Sequence, residues 1–116
     1  MKTETIKNLI KSYTDLEQSK VLADIIPHVT ADMILCEYED GSWYCEEWLD
    51  KPYTSQQEHI CWSLSALLNI LPSASLDSSD EHYFRIHCLD KFSEWYDNPI
   101  DACVSMIVRL HELNLM

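Results

Sequence analysis

The stretch MILCEYEDGSWYCEEW, Met33–Trp48, reads as a β-hairpin closed by Asp40-Gly41. Apolar and polar residues alternate on both sides of it, and Asp-Gly supplies two residues that tolerate the positive φ of a type I′ turn. A two-residue turn fixes the register: Tyr38 faces Trp43, Cys36 faces Cys45, Ile34 faces Glu47 and Glu37 faces Tyr44. Ile34, Cys36, Tyr38, Trp43 and Cys45 then share the candidate core face. The opposite face mixes Met33, Leu35, Tyr44 and Trp48 with Glu37, Glu39 and Glu46. Gly41 is the single glycine, so other tight turns must use Asp, Asn or Pro.

Upstream, Thr3–Ser12 places Ile6, Leu9, Ile10 and Tyr13 at helical spacing. The apolar phase breaks before Leu22, Ile25 and Ile26, and Thr14-x-x-Glu17 is a capping-box pattern for a second helix, so the segment reads as two short helices or one sharply kinked helix ending before Pro27. His28–Asp32 is a connector. Downstream, Ser55-Gln56-Gln57-Glu58 is another capping box, opening a helix whose stripe is Ile60, Leu64, Leu67, Leu68 and Leu71. Ser73–Glu81 is rich in Ser and Asp and reads as a loop. Tyr83–Asp97 is a second hairpin turning near Asp90-Lys91, with Phe84, Ile86 and Cys88 on one face, Ile86 opposite Trp95 and His87 opposite Glu94. Asn98 caps the last helix, with Pro99 first and Asp101 in the first turn. Its stripe is Ile100, Cys103, Met106, Ile107, Leu110 and Leu113.

Hairpin and helix thus occur twice, and HICWSLSALLNIL (His59–Leu71) aligns without a gap on DACVSMIVRLHEL (Asp101–Leu113). The expected fold is α+β: one domain over residues 1–116, with an N-terminal helical segment over 1–26 and two ββα units over 33–71 and 83–115. The units form an antiparallel sheet of about four strands with helices packed on it.

The 116 residues suffice for one compact core, and no apolar run approaches the ~18 residues of a membrane span. The N-terminus has no apolar signal-peptide centre, so the chain reads as soluble and cytoplasmic. Five cysteines without a CxxC pair fit reduced core thiols better than a disulfide framework. The net charge is −12, and Lys2, Lys7, Lys11 and Lys20 neutralise the first twenty residues, leaving the remainder strongly acidic. Such a surface repels nucleic acid and anionic membranes and attracts a basic protein partner.

The run DGSWYCEEW followed by HICWSLSALLNIL resembles small phage-encoded proteins of the α-β-α sandwich type, in which an acidic strand of this kind precedes a short Ala/Leu/Cys-rich helix. The resemblance covers about a third of the chain and departs at the linker LDKPYTSQQE, where that family has small residues. It implies a phage or prophage accessory protein, a class rich in inhibitors of host defence, and carries no active-site residues.

No residue pattern points to catalysis. His59-x-Cys61 and His87-Cys88 lack the paired spacing of a closed zinc site, and a chain with one glycine has neither a phosphate-cradling loop nor a nucleophile elbow. His87 with Glu94 reads as a surface ion pair, and Cys36 with Cys45 as two packed thiols. No cofactor, metal or catalytic residue is assigned, and a non-enzyme is expected. The partner-binding candidates are Glu37, Glu39, Asp40, Tyr44, Glu46, Glu47, Trp48 and Asp50. Carboxylates two residues apart on a strand lie ~7 Å apart, suited to Lys and Arg lining a nucleic-acid channel, and the aromatics serve as anchors. Asp77, Asp80 and Glu81 form a second acidic patch. The expected function is a phage-type inhibitor of a host nucleic-acid-binding defence effector, anti-CRISPR or anti-restriction, with no direct contact to nucleic acid. The alternatives are a self-assembling accessory protein that dimerises through exposed Trp62, Trp48 and Tyr44, and an antitoxin or immunity protein for a basic toxin.

Overall fold

Strand β1, Met33–Glu37, is apolar on both faces: Ile34, Leu35 and Cys36 are all buried. A strand buried on both sides belongs in the middle of a sheet, because an apolar edge is an aggregation hazard. In the computed structural model, which describes residues 11–47, 58–79 and 82–116, β1 is flanked on both edges. β2, Trp43–Glu47, pairs with one edge and β3, Glu58–Cys61, with the other.

The β1–β2 register is one residue away from the two-residue expectation. Leu35 faces Cys45, Cys36 faces Tyr44 and Glu37 faces Trp43. Tyr38 N–H donates to the Ser42 carbonyl at 2.7 Å and Gly41 N–H to the Tyr38 carbonyl at 3.0 Å. The loop is therefore three residues, Glu39-Asp40-Gly41, with Gly41 at φ 90° as the left-handed residue that completes a type I turn and bulge. Asp40 Oδ1 accepts from Ser42 N–H and Oγ–H at 2.9 and 2.6 Å, which favours this wider loop. Because side chains alternate, the one-residue shift moves every β2 side chain to the other face. Cys36 and Cys45 are accordingly not opposite one another, and Ile34 faces Glu46 rather than Glu47.

The helix expected to open at Ser55-Gln56-Gln57-Glu58 is replaced over Glu58–Cys61 by β3, residues 55–57 lying outside the described set. β1 needs a second neighbour, and β3 supplies Ile60 opposite Ile34. The helix starts later: Ser63 is the N-cap, its Oγ accepting from Ala66 N–H at 3.2 Å, and the second described helix is Leu64–Ile70. The first is α1, Leu16–Ala23, so we call Leu64–Ile70 α2. α1 has a complete capping box at Asp15 and Gln18, one residue beyond the expected Thr14 and Glu17. Thr14 is unable to cap because its N–H donates to the Trp62 carbonyl at 2.9 Å and its Oγ1 accepts from Trp62 N–H at 3.1 Å. Residues 3–10 of the expected first helix lie outside the described set, and Lys11 and Ser12 are not helical.

A second sheet follows. The expected loop Ser73–Glu81 contains β4, Ser75–Ser78, which pairs with β5, Phe84–Cys88, and β5 pairs in turn with β6, Lys91–Phe92. Among the described residues there are thus two three-stranded antiparallel sheets, ordered β2-β1-β3 and β4-β5-β6, in place of one four-stranded sheet. The strand orders differ, and the helix alignment sets β3 residues against helical ones, so the proposed ββα repeat does not describe the fold.

The last helix, α3, spans Pro99–Glu112 and matches its sequence expectation: Asn98 Oδ1 accepts from Asp101 N–H at 2.8 Å and Pro99 opens the first turn. Ile100, Cys103, Met106, Ile107 and Leu110 are wholly buried, whereas Leu113 is exposed. α3 is the centre of the core, packing against β5, α2 and α1, with Leu22, Trp62, Leu67 and Ile86 completely enclosed. Among the described residues no helix is long and apolar enough to cross a membrane.

The second hairpin turns at Leu89-Asp90, one residue before the expected position, with φ of 51° and 62° at the two residues. This is the type I′ geometry, which Leu resists because its Cβ crowds the backbone there, at a cost of roughly 1–2 kcal/mol. The double substitution Leu89→Asn, Asp90→Gly is expected to stabilise the protein by about 1 kcal/mol, since Leu89 is 43% exposed. Urea unfolding checks this, and a lower midpoint would contradict the turn type.

Candidate functional site: an acidic hairpin and a cation–aromatic sheet face

The partner-binding candidates fall on the first hairpin. Glu39, Asp40, Glu46 and Glu47 are exposed, and Glu37 and Tyr44 are half-buried; Trp48 and Asp50 lie outside the described residues. The register shift divides the acids between two faces. Glu46 and Tyr44 share a side with Cys36 and Ile34, and Glu37 and Glu47 share the other with Leu35 and Cys45. Glu37, Glu39 and Glu46 thus do not form the single face expected.

Local contacts order the tip. The Tyr38 and Tyr44 rings lie 4.3 Å apart at 37°, and the Cys36 thiol donates to Glu46 Oε1 at 3.6 Å. Tyr44 is held above the usual phenol range, first through its hydrogen bond with Cys36 and then by the charges around it. The Ser42 hydrogen bonds hold the Asp40 carboxyl below the usual range, so the tip stays anionic. Lys and Arg are absent from Val21 to Asp50. Among the described residues none of Glu37, Glu39, Asp40, Glu46 and Glu47 has an ion-pair partner. Among the described residues the hairpin is accordingly a concentrated negative surface with no cationic partner.

Of the second acidic patch only Asp77 is described, and its Oδ2 accepts from Arg85 Nε at 3.3 Å; Asp80 and Glu81 lie outside the described residues. Nor do His87 and Glu94 pair. His87 is opposite Phe92, with stacked rings 4.3 Å apart. The Arg85 guanidinium lies over Phe92 at 4.1 Å and over Trp95 at 4.6 Å. Ile86 bonds to Ser93, and Phe84 bridges to Tyr96, so Glu94 and Trp95 together oppose Arg85. That two-against-one count is a β-bulge, and it aims Trp95 at the guanidinium. The resulting ladder of His87, Phe92, Arg85 and Trp95 was hidden in the sequence, because it depends on a turn position and a bulge that no residue pattern announces. Phe92 and Trp95 are each 45% exposed.

A groove beside α3 runs past Gln18, Tyr96, Asp101, Val104 and Arg109. Its polar end is a closed network. Lys11 Nζ donates to Asp15 Oδ2, Gln18 Oε1 and Asp101 Oδ1 at 3.0, 3.0 and 2.9 Å. Asp101 also accepts from Gln18 Nε2 at 2.7 Å and Asn98 Nδ2 at 2.8 Å. These groups join the N-termini of α1 and α3, and their hydrogen-bonding capacity is spent on one another. Trp62, expected on a dimer surface, is wholly buried. Among the described residues no cluster of His, Cys, Asp and Glu has the geometry to hold a metal ion. No protein-family model, curated protein or solved structure matches the chain.

Burial works against ionisation of Asp101, but the Lys11, Asn98 and Gln18 hydrogen bonds prevail and lower its pKa. Burial likewise opposes the charge of Lys11, and its two carboxylates prevail and raise its pKa above 10.5. A lowered carboxyl contributes stability that is present above the unfolded pKa and lost as pH falls through the folded one; a raised ammonium contributes below its unfolded pKa and loses it as pH rises through the folded one. Asp101→Asn should therefore cost about 1 kcal/mol at pH 7. The difference from the parent should begin to shrink below about pH 4, where Asp101 of the unfolded chain takes up a proton, and be lost as pH falls through the lowered folded pKa; it should shrink again above pH 10.5 as Lys11 deprotonates, first in the unfolded chain. Urea titrations across pH read this directly, and a pH-independent difference would exclude the ion pair as its source.

Proposed function

We propose that the protein is a small acidic protein-binding protein whose first hairpin occupies a basic surface on its partner, in the manner of a phage-type inhibitor of a nucleic-acid-binding defence effector. The observation that carries this reading is the anionic hairpin, with Glu39, Asp40, Glu46 and Glu47 exposed around a tip fixed by Gly41 and Ser42. Acids on both faces suit insertion into a cleft lined by Lys and Arg on two sides, such as a nucleic-acid channel, better than docking on a flat surface. Long-range attraction would raise the association rate, and the Tyr38–Tyr44 pair beside the acids supplies apolar contact once charges meet.

The second reading, self-association, is favoured by the exposed Tyr83, Leu89, Phe92 and Trp95 around the second sheet. Trp62 is buried and takes no part in it.

Affinity capture from a bacterial host lysate at low and high salt, followed by kinetics with the recovered protein, separates the two. The expected catch is a basic nucleic-acid-binding protein released by salt and by competing nucleic acid. Glu39→Lys, Glu46→Lys, Glu47→Lys in combination should slow its association by about tenfold or more at low salt and flatten the salt dependence. Unchanged kinetics in the triple variant would remove the hairpin from the interface. Recovery of the protein's own chain alone would favour self-association.

A further inference from the structure

The five cysteines form no disulfide with one another, and two of them meet. Cys45 on β2 and Cys61 on β3 have their Sγ atoms 3.6 Å apart. Cys45 is opposite Leu35 and Cys61 opposite Met33, so both thiols lie on the same face of the sheet, reaching over β1 from its two edges. In a flat sheet those edge strands would stand about 10 Å apart, beyond the reach of two cysteine side chains. The contact therefore requires the sheet to coil toward that face. The remaining thiols are engaged elsewhere. Cys36 donates to Glu46, Cys88 donates to the Pro72 carbonyl at 3.1 Å, and Cys103 sits within the core.

We propose that Cys45 and Cys61 form a reversible disulfide that staples β2 to β3 across the central strand, made by exchange with a small-molecule disulfide of the glutathione class. A disulfide bond is about 2.05 Å long and brings its Cα atoms within about 7 Å, so the sulfurs must close by about 1.5 Å and β2 and β3 must draw together over β1, by further coiling of the sheet as well as side-chain rotation. The two cysteines have unequal surroundings. Cys45 is half-exposed, while Cys61 is wholly buried. The Cys61 thiol donating to Cys45 favours the Cys45 thiolate, against the opposing effects of burial, Asp32 and Glu46; that same hydrogen bond and its own burial keep Cys61 protonated. Cys45 is thus the entry point and Cys61 the resolving thiol. By contrast, burial pushes the Cys103 thiol up to about 12.

In the first step the Cys45 thiolate attacks one sulfur of the small disulfide, breaking its S–S bond and expelling one thiolate. That thiolate takes the Cys61 proton. The Cys61 sulfur then attacks Cys45 Sγ, forming the protein disulfide and expelling the second small thiolate, which is protonated by the Cys45 proton released to solvent. The two protein thiols are oxidised together, and one small disulfide is reduced to two thiols. The product closes the segment between Cys45 and Cys61 and ties the acidic hairpin to the strand that leads into Trp62.

The test is incubation of the full chain with oxidised glutathione, acid quenching, and peptide mapping without reduction. The expected product is a monomer with the Cys45 and Cys61 peptides joined, its mass lower by two hydrogens and its titratable thiols reduced from five to three. Cys45→Ser should abolish the cross-link and leave Cys61 unmodified, and Cys36→Ser should leave the cross-link intact; circular dichroism verifies that each variant is folded. Arrest at glutathionylated Cys45, a Cys36–Cys45 bond, a cross-link between chains, or no reaction would each overturn the proposal.

Discussion

Trp62 is wholly buried, and both of its nitrogens find partners far away in the sequence. Its backbone N–H donates to Thr14 Oγ1 and its indole Nε1–H to Thr30 Oγ1 at 2.9 Å. Its neighbour Ser63 donates from N–H and Oγ–H to the two oxygens of Asp32, and the Ser63 backbone bridges to Tyr13. Two residues at the end of β3 therefore hold the entry to α1, the connector before β1 and the start of α2. Thr14 Oγ1 also pairs with Ser19 Oγ at 2.7 Å inside the protein, so truncating Thr14 would strand polar groups with no access to water. An enclosed tryptophan of this kind is worth roughly 3–5 kcal/mol against alanine, a large fraction of the stability of a small domain.

This junction explains how the acidic hairpin can be carried. β3 is anchored at Trp62 and pairs with β1, and β1 in turn holds β2. The hairpin tip contributes nothing to the main core, whose members come from α1, α2, α3, β5 and the Trp62 region. Its exposed carboxylates stand outside that core. A concentration of like charge opposes folding by self-repulsion, and a protein that keeps one on a two-stranded projection needs a rigid base for it.

Much of the architecture was legible from local chemistry. α3 could be read residue by residue, because Asn98, Pro99 and Asp101 are terminal signals and its apolar spacing is regular. The class, α+β, and the existence of both hairpins were likewise visible. The registers were not. Asp40-Gly41 looks like a two-residue turn, but the Ser42 contacts to Asp40 widen the loop to three, and that single residue reassigns every side chain of β2. Glu58–Cys61 shows a helical apolar pattern that was overridden by the need of β1 for a second edge partner. Ser75–Ser78 has loop composition and becomes a strand because β5 presents a free edge. The first is a local contact that the dipeptide alone does not show; in the other two a tertiary demand outweighed local preference. For the candidate site, the exposed acids of the hairpin were found from sequence, whereas the Arg85 ladder and the Cys45–Cys61 contact depend on registers that only the assembled sheets define.

The Trp62–Ser63 junction is the rigid base from which the acidic hairpin projects. Native-state hydrogen exchange tests it amide by amide. The Thr14 and Trp62 amides should exchange only through global unfolding, among the slowest in the protein, while Gly41 and Ser42 at the tip should exchange through local opening many orders of magnitude faster. Exchange of Thr14 and Trp62 as fast as the tip would contradict it.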